Sequence, residues 1–420
     1  MAGKTIKIIS DDFKSYFTSG KYIFLFNLLE RLTFFAFYIS IARYVDKDLY
    51  GFIVTVFTFT NIIATIFDFG IPFYIQRESA TNEKAKIILE YSIFIKLISI
   101  FILLPLPFAY FRSAFEYWDI ILLVSLVNFF SPLNQILIFY LNGKYLFAEN
   151  FFAILLARIP YFLILIIITL FQVDVRFSLM LILFSIVVQN LILTKKANYN
   201  YSILFRGNIH FKFALNLIKK SYPFGLGIIF VMIYDRIDVL LIQRLLSNES
   251  VAIYSVAYSI YRNSSILSGI FLSKFYNDCS KFFLINRKID QETFLSTFKI
   301  LLLLSMILIL IFNLFGASLI KFFFTSRFIY SAQVLGIVSF ALPFIFLNNL
   351  TGVTLNSIHK EKITMISTFI GMVVNISVNL YLIPKVGILG AVISTIITEW
   401  IILIIQLFAI IFYNRNLGNV

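Results

Sequence analysis

The sequence predicts an all-α polytopic membrane protein with about twelve transmembrane helices in two six-helix lobes. Three observations carry that prediction. Of the 420 residues, 60% are hydrophobic and 13% charged, about half the charge fraction of a soluble chain of this length. The apolar residues fall into a dozen stretches near the length of about 20 residues that a helix needs to cross hydrocarbon. The basic residues gather on alternate connections. A β-barrel is excluded, because runs such as 120–143 and 328–358 are continuous rather than alternating.

In chain order the spans are expected near 22–42, 49–68, 87–110, 119–141, 151–172, 177–194, 222–244, 251–273, 294–315, 331–354, 363–383 and 387–412. The 177–194 run is the shortest. The 22–42 and 222–244 runs carry internal charges and stand out less by hydropathy alone. Of 35 Lys and Arg, 21 lie on the side of the N-terminus, eight on the opposite side and six within spans. By the positive-inside rule both termini face the cytoplasm, as an even number of spans requires. The N-terminal MAGKTIKIISDDFKSYF is charged and amphipathic, and no removable signal peptide is expected.

The longest inside loop divides the chain. Residues 1–194 form one lobe, 195–221 a basic cytoplasmic linker and 222–420 a second lobe. Within the linker, FKFALNLIKK reads as an interfacial amphipathic helix. The lobes repeat weakly in the same direction: Arg43, Asp48 and Gly51 follow span one with the spacing of Arg244, Glu249 and Ala252 after span seven. Parallel repeats of six spans match an axis along the membrane normal.

The net charge of +14 would suit nucleic acid, but its placement between apolar stretches argues against a nucleic-acid partner. A single cysteine, Cys279, excludes an internal disulfide and a cysteine-based zinc site. His210 and His359 sit in separate loops and offer no metal cluster. No Walker motif is present, so no nucleotide hydrolysis by that route is expected, nor any cofactor.

The informative residues are ionic groups inside spans. An Arg, Lys or Asp at a helix centre costs about 2.5–3.5 kcal/mol on insertion scales. Six basic positions (Arg31, Lys96, Arg158, Arg236, Arg262 and Lys299) would thus cost on the order of 15–20 kcal/mol if they faced lipid. A shared polar interior is the better account, which points to a transporter. Lys96 and Lys299 lie nearer span ends, where long side chains snorkel. Arg31, Arg158, Arg236 and Arg262 keep their charge and match phosphate oxygens in a bidentate fork. They are the candidate contacts to an anionic group. Tyr254, Tyr258 and Tyr261 form a stripe with Ser265, beside Arg262, which reads equally as packing or as a sugar-facing surface. Glu30, Asp235, Asp238 and Glu399 are candidates either for ion coupling, if desolvated, or for charge pairing with their arginine neighbours. Thr58, Asn61, Thr65 and Asp68, then Asn128, Ser131 and Gln135, then Asn375 and Asn379, add polar faces that also serve as helix-to-helix bonds.

Three stretches, ISIARYVDKDLYGFIVTVFTF…DFGIPFYIQRE (41–78), DRIDVLLIQRLLSNESVAIYSVAY (235–258) and NLYLIPKVGILGAVISTIITE (379–399), resemble the Wzx-type O-antigen and polysaccharide flippases. Those belong to the multidrug/oligosaccharidyl-lipid/polysaccharide (MOP) exporter superfamily. The resemblance implies a MATE-like V of two six-helix lobes in the bacterial inner membrane. It also implies alternating access and a substrate of undecaprenyl-pyrophosphate-linked oligosaccharide, moved from the cytoplasmic to the periplasmic leaflet. It implies no enzymatic activity, a role in lipopolysaccharide biosynthesis, and a polysaccharide polymerase and chain-length regulator as partners. Arg31 lies in span one, where such relatives carry cavity charges. The alternatives are a drug or cation antiporter of the same superfamily, a lipid II flippase, a membrane polysaccharide polymerase and a non-transporting scaffold.

Overall fold

The computed structural model describes residues 2–81, 85–199, 211–286 and 288–417. The segment 200–210 of the basic linker, with Arg206 and His210, lies outside the described residues. Apart from short 3-10 turns, the described elements are α-helices, sixteen among the described residues. They are α1 (Ala2–Tyr44), α2 (Lys47–Ile66), α3 (Ile71–Thr81), α4 (Ala85–Leu103), α5 (Pro105–Tyr110), α6 (Trp118–Gly143), α7 (Phe147–Phe171), α8 (Val175–Lys196), α9 (Phe211–Leu245), α10 (Asn248–Ser264), α11 (Ile266–Asn286), α12 (Gln291–Phe323), α13 (Tyr330–Val338), α14 (Leu342–Ser357), α15 (Glu361–Val386) and α16 (Ile388–Leu417).

Ten of the helices or helix pairs among the described residues are long and apolar enough to cross a membrane. The chain is therefore a multi-pass membrane protein, as the hydropathy pattern predicts. The two expected spans outside that set are 222–244 and 251–273. Both are helical, and each departs from an apolar span for a visible reason. Asp235, Arg236 and Asp238 dilute the hydropathy of α9. The 251–273 stretch is divided between α10, only 17 residues long and rich in tyrosine and serine, and α11.

Two compact units emerge, Met1–Val45 with Phe59–Leu226, and Asp46–Thr58 with Gly227–Val420. In the first unit a core of Ile, Leu, Phe and Tyr side chains joins α3, α4, α6 and α7, with Ile71, Leu89, Ile136 and Leu141 fully buried. Its irregular point is the α2–α3 junction, where Phe69 and Gly70 adopt φ of 53° and 68°. At Gly70 a Cβ would lie 2.4 Å from the Gly225 nitrogen, so α9 packs backbone to backbone on this turn. Gly70→Ala combines left-handed strain with that clash. It is expected to destabilise the first unit by at least about 1–3 kcal/mol. The yield and melting temperature of purified protein check this, and an unchanged melting temperature would contradict it.

In the second unit the early part of α2 joins the C-terminal helices. A Cβ at Gly51 would lie 1.8 Å from the Asn248 carbonyl oxygen and 3.2 Å from the Ala252 nitrogen. Gly51 and Ala252 are the equivalent positions of the internal repeat, so the two copies of that motif meet here. Tyr50 adds an edge-on ring contact to Phe328 at 5.4 Å.

Candidate functional site

Polar and ionic side chains within the helices form a constellation in each unit. In the second unit the sequence runs Asp235-Arg236-Ile237-Asp238 on α9 against tyrosines four residues apart on α10. Falling by three on α9 while rising by four on α10 pairs successive turns of antiparallel helices. Tyr254 thus donates its hydroxyl to Asp238 Oδ2 at 2.6 Å, and Tyr258 donates to Asp235 Oδ1 at 2.8 Å. The rings of Tyr254 and Tyr258 stack at 5.3 Å, and that of Tyr261 follows at 5.4 Å.

Each carboxylate has a different set of partners. Asp238, 1% exposed, accepts from Tyr254, from Asn379 Nδ2 at 2.6 Å and from the Thr395 hydroxyl at 3.3 Å. All three donors are neutral. Asn379 is braced in turn by Asn375 Oδ1 at 3.0 Å. Asp235 accepts from Tyr258 and pairs with Arg262 Nε at 2.9 Å and with Arg236 Nε at 3.5 Å. Glu399, 3% exposed, accepts from Asn348 Nδ2 at 2.6 Å and lies within electrostatic reach of Arg262. One guanidinium thus sits near two buried carboxylates, while Asp238 is held by dipoles alone. Such a set can hold negative charge or accept a proton or small cation, since burying an ionised carboxylate is costly without one.

In the first unit Arg158 is 3% exposed on α7. It donates to Ser185 Oγ at 2.5 Å and to Gln189 Oε1 at 3.1 Å, both on α8. Ser185 in turn donates its hydroxyl to the Ala157 carbonyl at 2.8 Å. Arg31 is exposed on α1, on the same side as Asn27, and Glu30 is half-buried.

The predicted site residues therefore separate into two groups. The structure gathers Asp235, Asp238, Arg236, Arg262, Tyr254 and Tyr258 into one network, with Tyr261 beside it. Arg31 and Arg236, the latter 44% exposed at its side chain, are the open arginines. Arg158, Tyr254 and Tyr258 are buried in helix-to-helix bonding, and Tyr261 is buried beside the other two tyrosines with no hydrogen-bond partner for its hydroxyl among the described residues. Lys299 is exposed, as snorkelling requires. Lys96 is not: it is 3% exposed, forms an ion pair with Asp68 and donates to the Phe67 carbonyl at 3.2 Å. The break after α2 supplies both acceptors, and hydropathy does not register that break. Asn348, Asn379 and Thr395 are the partners that bring order to the acids. Asn375 and Asn379 were visible as an i, i+4 pair, but nothing in the sequence ties them to Asp238.

Comparison with known proteins gives a consistent result. The profile of the polysaccharide biosynthesis protein family matches residues 18–274, and that of the MatE family matches 286–381. An uncharacterized membrane protein of Methanocaldococcus jannaschii is 31% identical over 105 residues, which span 25% of this chain and 20% of that protein. The fold resembles lipid II flippase MurJ in its inward closed conformation, with a TM-score of 0.72 and 17% identity over 92% of this chain and 87% of that one. It also resembles an inward-facing MATE family multidrug resistance transporter of the MOP superfamily, with a TM-score of 0.70 and 14% identity over 94% of both chains. With the first profile covering more than half of its length, the chain belongs to the polysaccharide biosynthesis protein family, on the fold of the MOP-superfamily transporters.

Proposed function

We propose that the protein flips undecaprenyl-pyrophosphate-linked oligosaccharide repeat units from the cytoplasmic to the periplasmic leaflet of a bacterial inner membrane, by alternating access. Both termini then face the cytoplasm, with residues 1–194 and 222–420 as the two moving lobes and 195–221 as their basic linker. The observation that carries this reading is the family membership together with arginines set inside the spans. A polysaccharide-pathway membrane protein needs a cationic, bidentate partner for a pyrophosphate. Arg31 and Arg236 are the proposed contacts, because their side chains remain exposed. Asp238 is the proposed coupling position, since its donors are neutral and a cation or proton would relieve the burial of its charge.

A lipid II flippase would share this chemistry, and the likeness to MurJ supports that second reading at the level of fold. A drug or cation antiporter is less suited to exposed arginines.

The test is the leaflet location of lipid-linked glycan in cells lacking the protein. Right-side-out vesicles are probed with an impermeant sugar-binding protein. Repeat units are expected to accumulate out of its reach. Normal exposure of unpolymerised units would place the protein after the flip, as a polymerase or scaffold. Accumulation of lipid II instead would favour the second reading.

A further inference from the structure

Helices α1 and α7 run in a fixed parallel register. The rings of Tyr22 and Phe151 lie 5.6 Å apart, the Tyr161 hydroxyl donates to the Thr33 carbonyl at 3.4 Å, and the hydroxyls of Ser40 and Thr169 bond at 2.6 Å. The two hydrogen-bonded pairs are separated by 128 and 129 residues in the chain. The same offset sets Arg158 opposite Glu30. On α1, Glu30 falls on the buried stripe of Phe26, Thr33 and Phe37, spaced by fours and threes. Asn27 and Arg31 fall on the exposed side.

Arg158 cannot be balanced by its hydrogen-bond partners, because Ser185 and Gln189 are neutral. Its Nε is buried and has no hydrogen-bond partner among the described residues. An unbalanced guanidinium this deep in a spanning helix is costly. The carboxylate whose field acts on it is that of Glu30, which feels Arg158 in return.

We propose that Glu30 and Arg158 are an interhelical charge pair that sets the rotation of α1 about its own axis. Successive helical residues point about 100° apart. With Glu30 drawn toward α7, the neighbouring Arg31 must face away from the interior of the unit. Glu30 and Arg158 are then positioning residues, and neither contacts substrate. What Arg31 meets on its exposed side rests on the flippase reading; the rotation of the helix does not.

The test uses the full-length protein with Cys279→Ala, carrying single cysteines at Asn27, Arg31, Phe26 or Thr33. A water-soluble maleimide probes each in purified, membrane-reconstituted protein. Positions 27 and 31 are expected to label at least about tenfold faster than 26 and 33, as exposed and protected sites differ. Arg158→Met should collapse that contrast. The neutral pair Glu30→Gln/Arg158→Gln leaves no buried charge to block folding and should collapse it too. The exchange Glu30→Arg/Arg158→Glu should restore it. In cells each single charge variant should lower surface polysaccharide about tenfold or more, the order of loss when a positioning group is misplaced, and the exchange should recover it. Equal labelling at all four positions in the unaltered pair overturns the proposal. So does a contrast that survives in the folded neutral pair. A contrast that follows the pair upholds it, even in a protein whose lipid-linked glycan reaches the outer leaflet without it.

Discussion

Arg262→Ala is expected to cost the protein on the order of 3 kcal/mol, read as a fall of about 3–4 °C in its apparent melting temperature in detergent. Arg262 is the close cationic partner of Asp235, at 2.9 Å, and Glu399 lies within its field. Both carboxylates are buried, at 8% and 3% exposure. Removing the guanidinium leaves two acids with only neutral donors and the more distant, half-exposed Arg236. The expense therefore arises from the charges left behind rather than from the bond removed. Asp235→Asn in the same protein should return a substantial part of the loss, with a coupling of about 0.5–3 kcal/mol between the two positions. A melting temperature unchanged by Arg262→Ala would show that Asp235 and Glu399 do not depend on it.

Arg31→Ala is expected to lower surface polysaccharide about 10–100-fold while leaving the melting temperature in place. Loss of a hydrogen bond to a charged group removes about 1.5–3 kcal/mol, and a pyrophosphate offers the guanidinium oxygens for a two-pronged contact. Arg31→Lys should recover only part, because an ammonium keeps the charge and lacks the fork. Exposure of Arg31 on α1 separates this outcome from that of Arg262, whose close partner Asp235 is buried. Full transport by folded Arg31→Ala protein would remove Arg31 from the substrate contacts. The two variants together distinguish a residue that holds the second unit from one that meets the cargo.

Buried tyrosines change how the α10 stripe is understood. Tyr254 and Tyr258 spend their hydroxyls on Asp238 and Asp235, and their rings stack inside the unit. In place of a sugar-facing strip, the geometry supports a scaffold that fixes two carboxylates one helical turn apart. The stripe itself was legible as an i, i+4 pattern. The face it presents was not, because that spacing is shared by packing and ligand-facing helices alike.

Much of this protein follows from its sequence alone. Apolar length fixes the spanning helices, since backbone groups in hydrocarbon must bond within their own helix. The cost of charge in lipid marks Arg31, Arg158, Arg236, Arg262 and the four acids as residues with a task. Those are local properties, readable one segment at a time. Tertiary structure alone decided which charge answers which. Asp238 is joined to Asn379 and Thr395 across 141 and 157 residues of chain, and Lys96 turns inward because a helix breaks at Phe69-Gly70 beside it. The reason is physical: hydropathy records the burial of a segment, whereas pairing depends on register and rotation between helices, which only packing sets.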